Sequence, residues 1–543
     1  MLHCRLVTLA LTAIITVALG ACTVDAKSGS VFITEELRDN AIRNVERYDW
    51  AAAYRDSIVA RVQPWMERSD EELWRMLPSQ DMPRDAAVNR SGDGCPNCGQ
   101  EHYNAPYNPS RWHVDFTRPW QVRCGQCDQW FPSNDFAAYY ESALDEQGKF
   151  RQGAGDPRFL QPVEGGNPQW IDDGTGVNIG GKKWFFAAFY AFNVWQTLID
   201  TAECMGIAYT LTGDPAYAHK AGVLLDRMAD VYPEMDFPPH FALGMECSTG
   251  GSGRGRVQGK IWEAFTAQKL SLAYDHVYDA LIADEELAAF SARMGEQYAT
   301  GDKSSPEAVA QHIEDHLLRE FIEGIRDRSI QGNPGAHQYA MAAAAIALDD
   351  PEDTPPALDW LFEPQGGGIP FIMHERLSRD GMSDESALGY SSIPATSFYQ
   401  VAEMLQRYEG YSGHDIFRDY PKFRACYTLG ASVRMLDNYS PNWGDGDKCM
   451  NYSGRSGITV PVNMALQGYR IFGTPEIARE VWFANARSFD GLLNIKPGNG
   501  RGDEGIQWHL YDADPEGMLA DLQRDADVDN LGPLRSLNSG GHG

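Results

Sequence analysis

The 543-residue chain lacks three features that would each point to a common class of protein. It has no basic excess, since 46 Lys and Arg stand against 76 Asp and Glu, a formal net charge of −30. This argues against a nucleic-acid partner, because binding phosphates needs a basic face. Beyond residue 22 no apolar run is long enough to cross a membrane. The Gly-rich segment 250–256 lacks the Lys-Ser/Thr ending of a phosphate-binding loop, which argues against nucleotide binding.

The N-terminus has the pattern of an export signal. Arg5 supplies a positive charge, residues 6–19 are almost wholly apolar, and a Leu-Gly-Ala-Cys ending at Cys22 follows. That ending resembles the bacterial lipobox, in which the cysteine is acylated and becomes the first residue of the mature chain. We therefore expect a lipoprotein signal peptide at 1–22, a membrane anchor on Cys22, and an exported outer-membrane lipoprotein, periplasmic or at the cell surface. An ordinary signal peptide with a coincidental cysteine is the alternative.

Apolar residues recur at helical spacing along most of the chain, which predicts a mainly α fold. Two segments, beginning at Tyr209 and Tyr469, share the pattern Tyr-x-x-x-Gly-Asp/Thr-Pro-x-x-Ala. In each, Gly is predicted to end a helix, Asp or Thr to cap the next helix, and Pro to occupy its first turn. Repeated tight turns of this kind indicate stacked helical hairpins.

Changes in composition divide the exported chain into four parts. A helical segment at 23–90 precedes a loop-rich module with paired cysteines at 91–135. A long helical region at 136–493 is the predicted catalytic domain. Periodicity fades after Leu493, and residues 494–543 are predicted to be a linker and the truncated start of a further domain, with no helix or strand closing this end.

Two Cys-x-x-Cys pairs, Cys95 with Cys98 and Cys124 with Cys127, lie in the loop-rich module. Two such turns, each presenting two sulfurs, suit a tetrahedral zinc ion. Two disulfides remain the alternative, because an exported protein meets oxidising conditions. In either case the role is structural, since four sulfurs leave no open position on a metal. No organic cofactor is expected.

Asn333 and Pro334 precede an Ala-rich run, which predicts an N-cap, a proline at the first position and a helix over about 334–348. His337 would then lie in the first helical turn, where the helix dipole favours neutral imidazole. Neutral imidazole accepts a proton, so the position suits a general base. The alternative is that Asn333 only caps the helix and His337 only packs.

A second polar segment follows a predicted turn at Asp380 and Gly381. Ser383 is a candidate cap for a short helix that would contain Asp384 and Glu385. Tyr390 stands between a glycine and a proline, an irregular place that suits either packing or a reactive phenol on a rigid scaffold.

Two further clusters are candidates for binding substrate. Arg254 and Arg256 lie in a Gly-rich loop and suit bidentate contacts with sugar carboxylates or sulfates, although a solvated loop is an equal alternative. Trp443 and Asp445 lie in a turn-rich segment whose aromatic ring suits stacking on a sugar. Two isolated histidines are interpreted as structural or incidental: His240 and His374.

These motifs together resemble those of the heparinase II/III-like polysaccharide lyases, over about residues 45–543. The resemblance implies an incomplete (α/α) toroid of helical hairpins followed by a β-sandwich, of which residues 539–543 look like the beginning. It also implies cleavage of a uronic-acid-containing, anionic and optionally sulfated polysaccharide by β-elimination. A similar paired-cysteine module occurs in a subset of such proteins.

The resemblance also implies roles for particular residues. Asn333 would neutralise the uronate carboxylate, His337 and Tyr390 would exchange protons as base and acid, and Glu385 would support them. His542 would be a cleft residue at the start of the β-sandwich. The chain departs from the family in one respect: heparinase-type enzymes often have Asn directly beside His, and here three residues intervene.

Two other functions compete with the lyase. A glycoside hydrolase on a similar helical ring would use paired carboxylates such as Asp384 and Asp447. A surface glycan-binding lipoprotein would have no turnover.

Overall fold

The computed structural model describes residues 27–89, 91–105, 111–235, 257, 262–384, 391–430, 461–495 and 506–530. Eighteen α-helices are found in this part of the chain. They are α1 (Glu35–Arg47), α2 (Asp49–Met66), α3 (Asp70–Met76), α4 (Phe136–Ser142), α5 (Phe186–Thr212), α6 (Pro215–Val231), α7 (Glu263–Leu281), α8 (Glu285–Tyr298), α9 (Pro306–Ile313), α10 (Arg319–Arg326), α11 (Ala336–Leu348), α12 (Thr354–Trp360), α13 (Ile369–Phe371), α14 (Ser392–Arg407), α15 (Ile416–Asp419), α16 (Val462–Phe472), α17 (Pro475–Ala484) and α18 (Pro515–Ala526). The predicted mainly helical fold is confirmed. Across these residues, no helix is both long and apolar enough to span a bilayer.

The strands are few and short. An antiparallel sheet in the cysteine module contains β1 (Trp112–Val114), β2 (Val122–Cys124) and β3 (Trp130–Phe131) in that order. A hairpin of β4 (Val177–Ile179) and β5 (Lys182–Trp184) leads directly into α5. The sheet therefore belongs to the loop-rich module, and the helices form the rest of the described fold.

The two predicted helix-to-helix turns are present. Gly213 ends α5 in the left-handed conformation at φ 70°, and its N–H donates to the Tyr209 carbonyl over 2.8 Å. Asp214 then caps α6 with its carboxylate. Gly473 ends α16 in the same way at φ 54°. Thr474 differs from the prediction: it stands at the cap position of α17, but its side chain makes no capping hydrogen bond.

Helices α5 and α7 lie side by side and run in the same direction. Thr210, near the end of α5, is hydrogen bonded through Oγ1 to Nδ1 of His276, near the end of α7, over 2.8 Å. A Cβ on Gly206 would lie 2.9 Å from the His276 Cβ, so glycine is needed for this approach. The two helices therefore end at the same side of the molecule.

Helices α7, α11 and α14 continue the parallel arrangement. The Gln268 Nε2 in α7 donates to the Ala336 carbonyl at the start of α11 over 2.7 Å. At the other end, the Tyr408 hydroxyl, just after α14, donates to the Asp349 carboxylate, just after α11, over 2.6 Å. These three helices and α5 thus begin at one end of the molecule, and the helices between them return the chain.

Helix α11 is the most enclosed helix of this group. Every residue from 340 to 347 has zero exposure, and six of the eight are alanine. A helix that is apolar on all sides must be surrounded by other elements. Its small side chains allow α7 and α14 to approach closely, so α11 is a central element of the fold.

The described N-terminal and C-terminal regions contact each other through α1. Asn44 donates both amide protons, to the carbonyls of Leu510 (2.8 Å) and Asp512 (2.9 Å). Asn40 donates to the Tyr511 carbonyl over 3.0 Å. Helix α1 also packs on α5. Two buried asparagines therefore fix the segment 510–512 against the start of the helical region.

The expectation that no helix follows Leu493 is wrong. Helix α18 spans Pro515–Ala526, is capped by the Asp514 side chain, and packs against α17 with Leu522 fully buried. Its apolar face is narrow and the segment is rich in Asp and Gly, which weakens the periodic signal in the sequence. Residues 539–543, the predicted start of a β-sandwich, lie outside the described residues.

Replacing Asn44 by alanine should destabilise the protein by roughly 1–3 kcal/mol, because two buried carbonyls would lose their donor. The free energy of unfolding from urea titration measures this. Asn193→Ala is the matched control, since the Asn193 amide donates only to the Phe189 carbonyl within its own helix, and a change within about 0.5 kcal/mol is expected. Equal losses in the two variants would show that the contact between α1 and segment 510–512 contributes little.

Candidate metal centre and candidate active site

The four cysteines of the loop-rich module converge on one point. The Sγ atoms of Cys95 and Cys127 are 3.8 Å apart, as are those of Cys98 and Cys124, and all four lie within 4.8 Å of one another. Sulfurs placed about 2.3 Å from a central zinc ion form a tetrahedron with edges of about 3.8 Å. All four cysteines are free, and a disulfide would need an S–S distance of about 2.05 Å. The geometry fits a structural zinc ion and contradicts the disulfide alternative.

Electrostatic repulsion among the four sulfurs also favours a cation at this site. Hydrogen bonding, chiefly from Cys95, lowers the pKa of Cys124 to about 4, whereas burial raises the pKa of Cys98 to about 12. Four thiolates this close repel one another, so several sulfurs keep their protons unless a positive ion lies between them. Binding of a divalent metal would therefore release protons and supply folding energy to the module.

His102 joins this site, although the sequence reasoning did not include it. Its Nδ1 lies 3.2 Å from the Cys124 Sγ, and its buried ring packs 4.4 Å from that of Trp112. Four sulfurs already complete a tetrahedron, so His102 acts as a hydrogen-bond donor that orients Cys124. The sequence feature that could have identified His102 is its position four residues after Cys98.

The cysteine module is attached to the start of α5. The Phe131 ring stacks on Phe186, the first residue of α5, with centroids 4.6 Å apart. The Trp184 indole N–H donates to the Gly94 carbonyl, beside the first cysteine, over 2.8 Å. Because α5 begins at the same end as α7 and α11, the module lies at that end of the molecule.

His337 is the second residue of α11, within the first turn as predicted. Its Nδ1 lies 3.1 Å from the Gly332 carbonyl oxygen. A carbonyl only accepts, so Nδ1 carries the proton in the neutral ring and Nε2 has a free lone pair. Burial lowers the pKa of His337 below its ordinary value. The side chain is therefore a neutral proton acceptor at physiological pH.

The predicted N-cap at Asn333 is wrong. Helix α11 begins at Ala336, and the N-cap is Gly335 at φ 99°. The Asn333 carbonyl accepts from the Ala336 N–H over 2.9 Å, which closes a turn with Pro334 and Gly335 at its centre. Proline followed by a residue with positive φ favours such a turn over a helix start.

This turn is held against α14. A Cβ on Gly335 would lie 2.6 Å from the Ser397 Cβ, so glycine is required both for φ and for space. The Gly335 N–H donates to Oε1 of the buried Gln338 over 2.8 Å, and the Gln338 Nε2 donates to the Gly367 carbonyl over 2.6 Å. Gln338 thus fixes the first turn of the helix that carries His337.

The Asn333 side chain is not used for capping. It is partly exposed, and within the described part of the chain its amide makes no hydrogen bond. Three residues lie between it and His337 along a tight turn. A free amide beside a neutral imidazole is an arrangement that suits binding a carboxylate next to a proton acceptor.

The second predicted segment is only partly described. Gly381 forms the expected turn at φ 84°. Ser383 forms a backbone bridge with Leu377, and its N–H donates to the Ser391 Oγ over 3.1 Å. The short helix that Ser383 was predicted to cap falls outside the described residues. Glu385 and Tyr390 lie outside the described residues.

The described residues next to the two predicted segments, the one with His337 and the one with Tyr390, nevertheless lie close together. Ser391 directly precedes α14, and Pro394 and Ser397 in the first turns of α14 lie against Gly335. The helix start beside His337 and the helix start that follows residues 385–390 are therefore neighbours.

Asp384, the first carboxylate of the hydrolase alternative, is exposed. Its Oδ2 accepts from the Arg376 Nε over 2.8 Å. His374 is also exposed, and its carbonyl accepts from Lys422 over 2.9 Å. The remaining predicted site residues lie outside the described residues: Cys22, His240, Arg254, Arg256, Trp443, Asp445, Asp447 and His542.

A second cluster of ligand-type side chains was missed by the sequence reasoning. Asp226 and Asp230, one turn apart on α6, lie near His312 of α9. The fully buried Lys303 ammonium lies 2.9 Å from Asp226 and 2.8 Å from Asp230. The lysine thus occupies the place of a cation, and the cluster is a structural ion network. The sequence feature that could have identified this cluster is a pair of aspartates four residues apart on a largely apolar helix.

No protein-family model matches the chain, and no curated protein matches it significantly.

The purified protein should contain one zinc ion per chain, bound by the four cysteines. Cys124→Ser should abolish this zinc and raise amide hydrogen exchange over residues 91–135, while the long helices stay protected, because metal binding supplies much of the module's folding energy. Elemental analysis and hydrogen exchange measure the two effects.

Cys204→Ala is the matched control, because Cys204 is a buried free thiol of α5 away from the module. It should keep the zinc. Metal-free protein with a protected module would contradict the assignment.

Proposed function

We propose that the protein is a polysaccharide lyase that cleaves a uronic-acid-containing polysaccharide by β-elimination. The observation that carries the proposal is the state of His337: a neutral imidazole whose Nδ1 is committed to the Gly332 carbonyl, leaving the Nε2 lone pair for a substrate proton. The motif resemblance supplies the reaction class, and the geometry of the first turn of α11 is consistent with it.

In the proposed reaction, the substrate carboxylate binds beside the α11 start. The free amide of Asn333 donates to the carboxylate and reduces its charge, which makes the C5 proton more acidic. The His337 Nε2 removes that proton. The glycosidic bond at C4 then breaks, a C4=C5 double bond forms, and the Tyr390 hydroxyl protonates the departing oxygen. Glu385 supports this proton exchange.

We also propose that the parallel helices belong to an (α/α) toroid. Support comes from the start-to-start and end-to-end contacts of α5, α7, α11 and α14, and from the contact of α1 with both α5 and segment 510–512. Helices arranged in this way bring the loops before α7, α11 and α14 to one end. Arg254, Arg256, Asn333, Glu385 and Tyr390 belong to those loops in the sequence, and His337 follows in the first turn of α11.

The substrate in this proposal is an anionic, optionally sulfated polysaccharide. Arg254 and Arg256 would bind its charged groups, and Trp443, Asp445 and His542 would line the same cleft. A locally basic cleft is compatible with a net charge of −30. A lipid anchor on Cys22 would hold the enzyme at the outer membrane, and the zinc module would support the cleft end of α5 structurally.

The chemistry of the product separates this function from its rivals. A lyase leaves an unsaturated uronate, a hydrolase leaves a saturated reducing end, and a glycan-binding protein leaves no product. The exposed ion pair of Asp384 with Arg376 gives that carboxylate a structural partner, which favours the lyase over the hydrolase.

His337→Ala and Tyr390→Phe should each reduce turnover by about 10²–10⁴-fold, the usual contribution of general acid–base catalysis. Release of unsaturated uronate from uronate-containing polysaccharides measures turnover. His374→Ala is the matched control, because His374 is an exposed histidine outside the proposed machinery, and it should retain full activity. Undiminished elimination in both test variants would refute the mechanism.

The pH dependence should reflect the partly buried His337. A base works only when it is unprotonated, and burial lowers the pKa of His337. The acid limb of kcat/KM should therefore have its midpoint below about 6.5, the ordinary histidine pKa. Activity would persist at a pH where an exposed histidine is half protonated. A midpoint above that value would exclude His337 as the base in this environment.

Asn333→Ala should lower kcat/KM while leaving the melting temperature nearly unchanged, since the Asn333 side chain caps no helix. Measuring both quantities on one preparation checks this. A large fall in melting temperature with normal turnover would assign Asn333 a structural role instead.

A further inference from the structure

The first described residues of the chain are fixed on the last turns of α7. The Lys27 ammonium lies 2.9 Å from the Asp275 carboxylate, and the two side chains are only 3% and 1% exposed. The same carboxylate accepts from the backbone N–H groups of Val31 and Phe32, each over 2.9 Å. Breaking a buried ion pair leaves an uncompensated charge, so Lys27 is a fixed point of the fold.

Backbone contacts strengthen this attachment. The Tyr278 hydroxyl donates to the Lys27 carbonyl over 2.8 Å. The Ser30 hydroxyl donates to the Asp275 carbonyl over 2.6 Å, and the Ser30 N–H donates to the Asp279 carboxylate over 3.0 Å. A chain end that is tied down in this way stays ordered, whereas a free end frays. The position of Lys27 therefore determines where the residues before it leave the helical region.

These contacts place Lys27 towards the end of the molecule opposite His337. Gln268 of α7 contacts the start of α11, the helix that carries His337 in its first turn. Asp275 follows seven residues later in α7, a rise of about 10 Å along the helix axis. The next residue, His276, is hydrogen bonded to Thr210 near the end of α5. Lys27 is thus attached where α5 and α7 approach their ends.

The lipid anchor proposed on Cys22 is close to Lys27 along the chain. Only four residues separate the two, and a fully extended chain of that length reaches at most about 18 Å. The start of α5, to which the cysteine module is attached, lies 24 residues before Thr210, or about 36 Å along the helix. The anchor is therefore too short to bring the end of the molecule with the cysteine module to a bilayer.

We propose that the anchored protein faces the lipid bilayer with the turns at the ends of α5, α7 and α11, and that His337 faces the aqueous phase. This orientation rests on the proposed lipid anchor at Cys22. It would leave the candidate active site open to a long polymer in solution, without the membrane as an obstacle.

The charge of these turns indicates that the anchor alone holds them at the bilayer. Their exposed side chains include four carboxylates: Asp214, Glu285, Glu286 and Glu352. Membrane surfaces attract basic segments through their anionic lipids, and an acidic surface gains nothing from this attraction. The length of the tether, and not adhesion of the protein surface, would therefore determine the orientation.

Energy transfer from a fluorophore on the protein to acceptors on lipid headgroups tests this orientation. The acylated full chain, purified from bacterial membranes, is reconstituted into phosphatidylcholine vesicles. The fluorophore is attached through a keto-bearing non-natural amino acid that replaces either Ala216 or Arg326, since a cysteine label would also react with the cysteine module. Both positions are exposed. Ala216 follows the end of α5, and Arg326 ends α10, before the loop that leads to α11.

Transfer should be at least about twofold stronger from residue 216 than from residue 326, because the two positions lie at opposite ends of long helices. Equal transfer from both positions, or stronger transfer from residue 326, would overturn the orientation while leaving the anchor intact. Mass spectrometry that finds no acyl chain on Cys22 would refute the anchor and the orientation together. Elimination activity is a separate measurement and bears on the lyase proposal alone.

A longer tether is the matched control. Inserting a flexible segment of about 20 Gly and Ser residues before Lys27 should remove the difference between the two labels while vesicle binding persists. The insertion precedes the contacts of Lys27 with α7, so folding should not change. Cys22→Ser should release the protein from the vesicles. A difference between the labels that survives the insertion, or binding that survives Cys22→Ser, would show that the protein surface itself adheres and would contradict the role of the tether.

Discussion

Burial of α11, in which only His337 is partly exposed, is the constraint on which the described fold and the candidate active site both depend. Its alanine-rich run allows α7 and α14 to pack closely on either side, and this leaves little space where the chain enters the helix. A Cβ at Gly332 would lie 2.9 Å from the Ala336 Cβ, and one at Gly335 would lie 2.6 Å from Ser397. Only a tight glycine turn fits there. That turn directs the Gly332 carbonyl to His337, so the packing of α11 determines the tautomer of the proposed base.

The same burial determines the protonation state. The positive helix N-terminus and the removal of water both disfavour imidazolium, and both follow from placing a histidine in the first turn of an enclosed helix. Sequence predicted the first effect from the position of His337 relative to Pro334. The second effect depends on what surrounds the helix, which is contributed by residues far along the chain. Local pattern therefore identified the residue, and tertiary packing gave it the properties of a base.

Short sequence patterns correctly predicted those features that depend only on a few neighbouring residues. The Gly-Asp-Pro turn at 213–215 and the two Cys-x-x-Cys turns formed as predicted, because each depends on a few consecutive residues. Prediction failed where a neighbouring turn competed, and it missed a contact made with a distant partner. Asn333 was expected to cap a helix, but Pro334 and Gly335 form a turn that moves the helix start to Ala336. The contact of Asn44 with residues 510 and 512 spans more than 460 positions and left no local pattern.

Charge balance explains why one cluster of ligand-type side chains suits a metal and the other does not. The four sulfurs in the module have only the His102 ring as a nearby polar partner from outside the two knuckles, and no lysine or arginine is bonded to them among the described residues. Their mutual repulsion is relieved either by keeping protons or by binding a cation. Asp226 and Asp230 already share the buried Lys303 ammonium, with His312 beside them. A divalent ion there would have to displace a lysine that has no exposed surface to move to, at a cost in desolvation. Side chains that can bind a metal therefore do not by themselves define a metal site. What distinguishes the two clusters is whether the fold already places a positive side chain between the ligands.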